Sequence, residues 1–280
     1  MVEDRAMRAQ TLARRGFLRL SAGLVASAAT ALSTRQASAA APGPFQAQIR
    51  MYHEIDYSMF KAELLGLLDA GFQPISVETI VAALNGTVLV PAGSNAFHIT
   101  WDDSRLSQYT DGWRAIKDIQ QERGVFIPVT AFMLTMFDHL PASLDQVPNT
   151  TPCYTELGPA LVHHKYFTKG QAIELIRNGV HAGSHTVDHA DLPRLSIGGI
   201  DAQLVTAEQR IQGLWDAAGV ERPVRVFAYP YGDFNSSIVA AVQSLGYDAA
   251  FSTIGTTVHS PRDRFILGRV GSVESSAGLI

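Results

Sequence analysis

Short apolar runs alternate with helical patterns along most of this chain, and that order is the strongest constraint on its fold. In the segment from 200 to 218, apolar residues recur at steps of three and four, as on one face of a helix. Strand-then-helix repetition predicts a parallel sheet with helices outside it, either open or closed into a barrel. The strand-like runs are 47–52, 96–101, 127–134, 179–183, 224–229 and 248–253, and the helical patterns are 59–70, 77–84, 110–123, 169–177, 200–218 and 237–245.

Four of the apolar runs end in polar or ionisable residues. Because parallel strands present their carboxyl ends on one face, where active sites form, these residues are expected to converge there. The four ends are Tyr52-His53-Glu54, Asp102-Asp103-Ser104, His185-Thr186-Val187-Asp188-His189 and Tyr229-Pro230-Tyr231-Gly232-Asp233.

The spacing of His185 and His189 indicates a metal site. In a helical turn both imidazoles project from one side, and two imidazoles with one carboxylate make an open zinc site. Asp102 and Asp103 are adjacent, and such carboxylates repel each other unless a cation or proton intervenes. Taken singly, the histidines also fit a surface pair capping a helix, and the aspartates fit a turn. Together they favour a metal held by one carboxylate, with the other left as a base.

His53 is the candidate general acid. Its ordinary pKa of about 6.5 suits protonation of a leaving amine at neutral pH. A lone histidine at a strand end is otherwise a structural residue, so this interpretation depends on the other motifs.

The composition excludes some functions. Apolar residues make up 46% of the 280 residues, which provides for a large core, and the formal net charge is −4. A protein without a basic excess has little with which to neutralise phosphates, so nucleic-acid binding is not expected. The single cysteine, Cys153, cannot form an internal disulfide and is interpreted as a bystander. Residues 137–166, rich in proline, are expected to form a surface loop.

The first 39 residues predict an export signal, and residues 40–280 a single catalytic domain. Arg14-Arg15 precedes a short apolar run from 20 to 32, and Ala37-Ser38-Ala39 is a small-residue cleavage site. This order is typical of the twin-arginine route, which predicts a periplasmic or extracellular protein. The apolar run is too short for a permanent membrane span, so none is expected in the mature protein.

These residues together resemble the polysaccharide deacetylase family (NodB-homology, carbohydrate esterase family 4). Tyr52-His53 is similar to the acid motif of the branch acting on poly-N-acetylglucosamine, and the resemblance covers about residues 48–271. The other motifs are Thr100-Trp101-Asp102-Asp103-Ser104, Gly183-Ser184-His185-Thr186-Val187-Asp188-His189 and Phe227-Ala228-Tyr229-Pro230-Tyr231-Gly232.

The resemblance implies an α/β fold, a distorted (β/α) barrel of about seven parallel strands in one domain. It implies removal of N-acetyl groups from a cell-surface polysaccharide containing N-acetylglucosamine, with release of acetate and with a divalent metal ion, Zn²⁺ being the expected one. The implied roles are Asp102 as base, His53 as acid, the backbone N–H of Tyr231 as oxyanion donor, Asp103, His185 and His189 as metal ligands, and Tyr229 and Pro230 as substrate-binding residues. Tyr229, Tyr231 and Trp101 are each candidates for stacking on sugar rings, with the core preferred for Trp101.

The sequence also departs from the family pattern. Ser104 stands where the family has glycine, which restricts that turn. The arginine of the third motif is missing, and Arg222 or Arg225 is a candidate to orient Asp102 instead. Three alternative functions remain open: an O-acetyl esterase, an amidase acting on non-sugar amides, and a glycan-binding protein without turnover. The sequence does not give the oligomeric state.

Overall fold

A computed structural model describes residues 42–90, 95–137 and 165–271 of the chain. The predicted export signal, Cys153 and nearly all of the predicted loop 137–166 lie outside these residues. None of the helices in the described ranges is both long enough and apolar enough to cross a membrane.

The sheet is parallel throughout, as the alternating sequence pattern predicts. Its strands run in the order β10-β2-β4-β5-β6-β7-β8, and β3 pairs with the beginning of β4. A separate antiparallel pair joins β1 to β9. The strands are β1 (Phe45–Gln46), β2 (Gln48–Tyr52), β3 (Gln73–Pro74), β4 (Ala96–Asp102), β5 (Val129–Met133), β6 (His181–Ser184), β7 (Val226–Ala228), β8 (Ala249–Phe251), β9 (Val258–His259) and β10 (Val270–Gly271).

The carboxyl-terminal strand brings the two ends of the curled sheet together. Leu267 bridges to Phe251 of β8, and its N–H donates to Ala250 over 2.9 Å. Three residues later, Val270 pairs with Arg50 of β2. One segment therefore contacts both β8 and β2, and the predicted distorted barrel of about seven parallel strands in one domain is confirmed.

Within the described residues, six α-helices fall where the sequence pattern predicts them. Side chains of Ser76, Thr168, Ser196 and Asn235 cap helix starts by accepting backbone N–H bonds, which satisfies donors the helix leaves free. Gly219, with φ of 70°, ends the longest helix in the left-handed region. The helices are α1 (Tyr57–Asp69), α2 (Val77–Leu84), α3 (Trp113–Arg123), α4 (Lys169–Arg177), α5 (Ile197–Ala218) and α6 (Ser236–Ser244).

Strand β4 shows how the sheet separates core from site. Successive side chains on a strand face opposite ways, and all seven residues of β4 are buried. Ile99 and Trp101 pack among the helices in the largest apolar cluster. Thr100 and Asp102 face the barrel interior, where both bond to Arg269. The alternation delivers Asp102, at the carboxyl end of the strand, to the active face.

Candidate metal and hydrolytic site

The loops that follow β2, β4, β6 and β7 meet at one face of the barrel, as the polar strand ends predict. Asp103, His185 and His189 form a buried cluster whose ligand atoms lie within 4.8 Å of one another. Oδ1 of Asp103 is 3.3 Å from Nε2 of His185 and 3.3 Å from Nε2 of His189. The three residues predicted as metal ligands are therefore brought together by two different loops.

The hydrogen bonds around the cluster leave the atoms that would hold a metal free to do so. Nδ1 of His185 lies 2.8 Å from the carbonyl of Ala228. Since a carbonyl only accepts, that nitrogen carries a proton, which leaves Nε2 as the nitrogen of a neutral imidazole that can bind a metal. Oδ2 of Asp103 accepts from Arg105, whereas the buried Oδ1 has no hydrogen-bond partner. An orphaned carboxylate oxygen beside two imidazole nitrogens fits a divalent metal ion.

The protonation states of His189 and Asp103 also suit metal binding. Burial lowers the pKa of His189 to about 4, so this imidazole is neutral near pH 7. Burial alone would raise the pKa of Asp103, but His189, His185 and Arg105 hold it well below its ordinary value. The cluster therefore consists of one carboxylate and neutral imidazole at His189, which is the form that binds metal.

Asp102 is placed differently from its neighbour. Its two oxygens accept from Nη1 and Nη2 of Arg269 over 2.7 and 2.8 Å, a bidentate pair buried in the barrel. Burial works to raise the pKa of Asp102, but Arg269 lowers it overall through its charge and its hydrogen bonds. Oδ2 lies 4.0 Å from Nε2 of His185. Asp102 is thus an ionised carboxylate beside the cluster and held from behind.

Arg269 is the arginine that orients Asp102. The suggestion from the sequence that Arg222 or Arg225 does so was wrong. Both of those arginines pair with Glu208 instead: Nη1 of Arg222 at 2.6 Å and Nε of Arg225 at 2.9 Å. No local spacing links Arg269 to Asp102, because 167 positions separate them. The barrel closure brings them together.

His53 follows β2, the strand next to β4. The side-chain amide of Gln108 donates to the backbone carbonyls of both His53 and Asp102, which ties the two strand ends together. The charge of His53 contributes to lowering the pKa of both aspartates. The predicted acid therefore lies close enough to the site to act on it electrostatically. Gln108 begins a π-helical turn, Gln108–Gly112, that the sequence did not reveal.

Backbone strain concentrates in the same motifs. In the described ranges, the non-glycine residues with positive φ are Asp103, Ser104, Thr186, His189 and Tyr231. Such conformations cost about 1–3 kcal/mol each and persist where the surroundings hold them. Ser104, which stands where the family pattern has glycine, adopts a left-handed φ of 58°, and its Oγ accepts from the N–H of Leu134 over 3.0 Å.

Tyr231 is the exposed aromatic residue of the third motif. About half of its surface, 53%, is exposed, and its ring meets that of His189 edge-on at 4.4 Å. In the part of the chain that the structure describes, its backbone N–H donates to no acceptor. Gly232 follows with φ of 73°, and a Cβ there would collide with Thr253. The turn therefore presents a tyrosine ring and an unused N–H beside the cluster.

Tyr229 and Pro230, the residues predicted to bind substrate, both have buried side chains, and their role stays a prediction. Tyr229 is fully buried, and its hydroxyl donates to the carbonyl of Phe265 over 2.9 Å. Pro230 is also buried. Tyr229 packs in an apolar cluster with Phe227, so its ring is not exposed to solvent. Trp101 is buried in the core, as preferred from the sequence.

A family model described as polysaccharide deacetylase matches residues 90–250, more than half of the chain. One curated relative, the candidate polysaccharide deacetylase YxkH of Bacillus subtilis, is 20% identical over 235 residues, which are 81% of this chain and 71% of that protein. The residues matched by the family model include both motifs that form the cluster, the one with Asp103 and the one with His185 and His189.

Solved structures share the fold. Deacetylase PplD of Streptococcus pyogenes, determined with acetate, aligns with a TM-score of 0.63 and 21% identity, over 82% of this chain and 93% of that one. IcaB from Ammonifex degensii aligns with a TM-score of 0.62 and 18% identity, over 82% and 92%. A de-N-acetylase from Aggregatibacter actinomycetemcomitans aligns at 0.59 and 16%, over 82% and 97%.

Proposed function

The chain belongs to the polysaccharide deacetylase family, and from this membership we propose that it removes N-acetyl groups from a cell-surface polysaccharide containing N-acetylglucosamine. The reaction is a hydrolysis that releases acetate. It uses a divalent metal ion, Zn²⁺ being the ion proposed, held by Asp103, His185 and His189.

One observation carries the proposal: two adjacent buried carboxylates have separate surroundings. Asp103 turns a bare oxygen toward two imidazole nitrogens. Asp102 has both oxygens on a guanidinium and stays ionised. One is equipped to hold a cation, and the other to accept a proton beside it. A structural turn would have no need for such a division.

Each residue then has a chemical task in the hydrolysis of an acetamide. A divalent ion at the cluster would supply Lewis-acid polarisation of the acyl carbonyl and of the attacking water. Asp102 takes the proton of that water, with Arg269 fixing its orientation. The backbone N–H of Tyr231 donates to the carbonyl oxygen as negative charge develops there. His53 donates a proton to the departing sugar nitrogen, and acetate is released.

Four observations support the choice of an N-acetyl sugar. Tyr52-His53 is similar to the motif of the poly-N-acetylglucosamine branch, and two of the structural neighbours are named a deacetylase and a de-N-acetylase. The half-exposed ring of Tyr231 offers a surface on which a sugar can stack. The twin-arginine signal in the sequence would place the enzyme in the periplasm or outside the cell, where such polymers lie.

Acetate release across a substrate panel tests the proposal. The panel contains N-acetylglucosamine oligomers, acetylxylan and a non-sugar N-acetyl amide, each assayed before and after treatment with a chelator. We expect release from the oligomers, its loss with the chelator, and its return with Zn²⁺. Release from acetylxylan alone would instead identify an O-acetyl esterase, and release from the simple amide alone an amidase.

A pair of variants tests whether acetate release depends on the metal site. His185→Ala removes one of the three protein ligands, so it should lose metal and acetate release together. Arg222→Gln, which alters a buried ion pair far along the chain, should retain both. Oligomer binding by the wild-type protein without acetate release, even with added Zn²⁺, would indicate a glycan-binding protein and overturn the enzymatic proposal.

A further inference from the structure

Arg105 directly follows the strained turn of the metal-binding motif and reaches back to it. Its Nη2 donates to Oδ2 of Asp103 over 3.0 Å. Only 6% of Arg105 is exposed, so the two charges meet in a poorly solvated place. The contact engages one oxygen of the carboxylate and leaves Oδ1 directed at the two imidazoles.

The guanidinium is held in that position from several sides. Its Nη1 lies 3.3 Å from the hydroxyl of Tyr166, and the tyrosine ring centre is 5.3 Å from the guanidinium carbon. Its Nε lies 3.7 Å from Oε1 of Glu54. The backbone of Arg105 also bridges to that of Tyr166, with the N–H of Phe167 donating to Ser104 over 3.0 Å. Arg105 is thus a fixed charge, not a mobile surface side chain.

We propose that Arg105 is a positioning residue that restricts Asp103 to binding metal through one oxygen and holds the affinity for the metal down. This inference rests on the proposed function. An arginine bonded to the carboxylate of a metal ligand stabilises the metal-free site. It also repels a divalent cation bound to that carboxylate. Both effects weaken metal binding, and both leave a bound cation a stronger Lewis acid, because the carboxylate gives it less charge.

The charge balance of the site supports this assignment. Asp102 has its own counter-charge in Arg269, and Arg105 offsets Asp103 in the same way. Without its arginine, Asp103 would be a buried anion with no guanidinium counter-charge, which would favour a divalent cation at the cluster. With the arginine, each of the two aspartates has a guanidinium counter-charge before any metal binds.

The test is a metal titration of the chelator-treated protein without substrate, using Zn²⁺ in competition with a chromophoric chelator. Arg105→Gln keeps an N–H donor but removes the charge, so we expect it to bind Zn²⁺ at least about tenfold more tightly than the wild type. Arg105→Lys restores the charge and should return the affinity to near the wild-type value. Arg222→Gln removes a buried arginine from Glu208 and should leave the affinity for Zn²⁺ unchanged.

Unchanged or weaker Zn²⁺ binding by Arg105→Gln would overturn the inference, since orientation alone predicts weaker binding. If that variant does not fold, a crystal structure of the Zn²⁺-loaded wild type decides: one Asp103 oxygen on the metal supports the inference, and two oppose it. Absence of Zn²⁺ binding by the wild type would contradict the proposed function itself, so the two failures are distinguishable.

Discussion

Asp102 and Asp103 are neighbours in sequence with unequal tasks, and this inequality can be measured. Asp103 offers its bare oxygen to the imidazoles, whereas Asp102 is bound bidentately by Arg269. Asp103→Ala should lose Zn²⁺ and activity together. Asp102→Asn keeps nearly the same shape but cannot accept a proton, so kcat should fall by about 10²–10⁴-fold with metal content unchanged. Metal analysis and acetate-release kinetics on the purified variants check both.

His53→Ala provides the internal comparison for the acid. It should keep its metal, and its loss in kcat should shrink for activated aryl esters, whose leaving group needs no proton. If Asp102→Asn loses the metal and Asp103→Ala keeps it, the two roles are reversed. If neither substitution changes the rate, the Asp-Asp pair is a structural turn.

Arg269 and Asp102 form a buried ion pair, and burying either charge without the other would lower the free energy of unfolding. Arg269→Gln leaves an ionised carboxylate in the barrel and should lower the free energy of unfolding by about 3–5 kcal/mol. In an Asp102→Asn background the same change leaves no charge behind, so its cost should be much smaller. Urea unfolding of the single and double variants, all without metal, measures the coupling. Equal costs in the two backgrounds would contradict the pairing.

The sequence revealed the parts of the site that lie in short local motifs. Asp102, Asp103, His185 and His189 are recognisable because each pair occupies one strand end. Arg269 could not be found this way, since its contact crosses 167 positions and depends on barrel closure. The burial of Tyr229 was equally hidden, because a tyrosine after a strand fits both a sugar platform and a core.

At the scale of the elements, long periodic segments were predictable and two-residue strands were not. Helices α2 and α4 have the bounds that their apolar patterns predict. Strands β1, β9 and β10 contain two residues each, too few for any period to show. Yet β10 completes the sheet, and Arg269 directly precedes it. The least visible strand in the sequence thus places a residue against Asp102.

The junction of β3, β4 and β5 contains a buried histidine that should make stability depend on pH. Nδ1 of His98 lies 2.8 Å from the carbonyl of Ile75, and Nε2 lies 3.0 Å from the hydroxyl of Thr130. Both contacts suit neutral imidazole, and burial lowers the pKa of His98 to about 4. Between pH 4 and 6.5, the unfolded chain therefore binds a proton that the folded chain excludes.

The titration of His98 should make the folded protein less stable at low pH. The folded-state pKa lies below the unfolded one, so the stability present above about pH 6.5 is lost as pH falls toward 4, by on the order of 3 kcal/mol. His98→Gln should flatten that part of the profile. Urea unfolding of the wild type and of His98→Gln from pH 4 to 7 measures the difference. A chelator is present throughout, so that metal binding does not contribute to it. Parallel profiles would show that His98 does not titrate in this way.

At the scale of the whole molecule, charge divides the sequence into two regions. The first 39 residues contain six arginines and two acidic residues, and the remainder has 16 basic and 24 acidic residues. An acidic catalytic domain behind a basic, apolar leader is typical of exported proteins. The twin-arginine route carries folded cargo, which suits an enzyme whose ligands come from separate loops and assemble only in the folded chain.

Export is accordingly predicted through Arg14 and Arg15. Amino-terminal sequencing of the protein from a periplasmic or secreted fraction should begin near Ala40, after the Ala37-Ser38-Ala39 site. Replacing Arg14 and Arg15 together by Lys should hold the full-length chain in the cytoplasm, because the route requires the paired arginines. Replacing Arg5 and Arg8 by Lys conserves the same total charge outside the pair and should leave export intact. Full-length wild-type protein confined to the cytoplasm would contradict the predicted signal, while leaving the hydrolytic site unaffected.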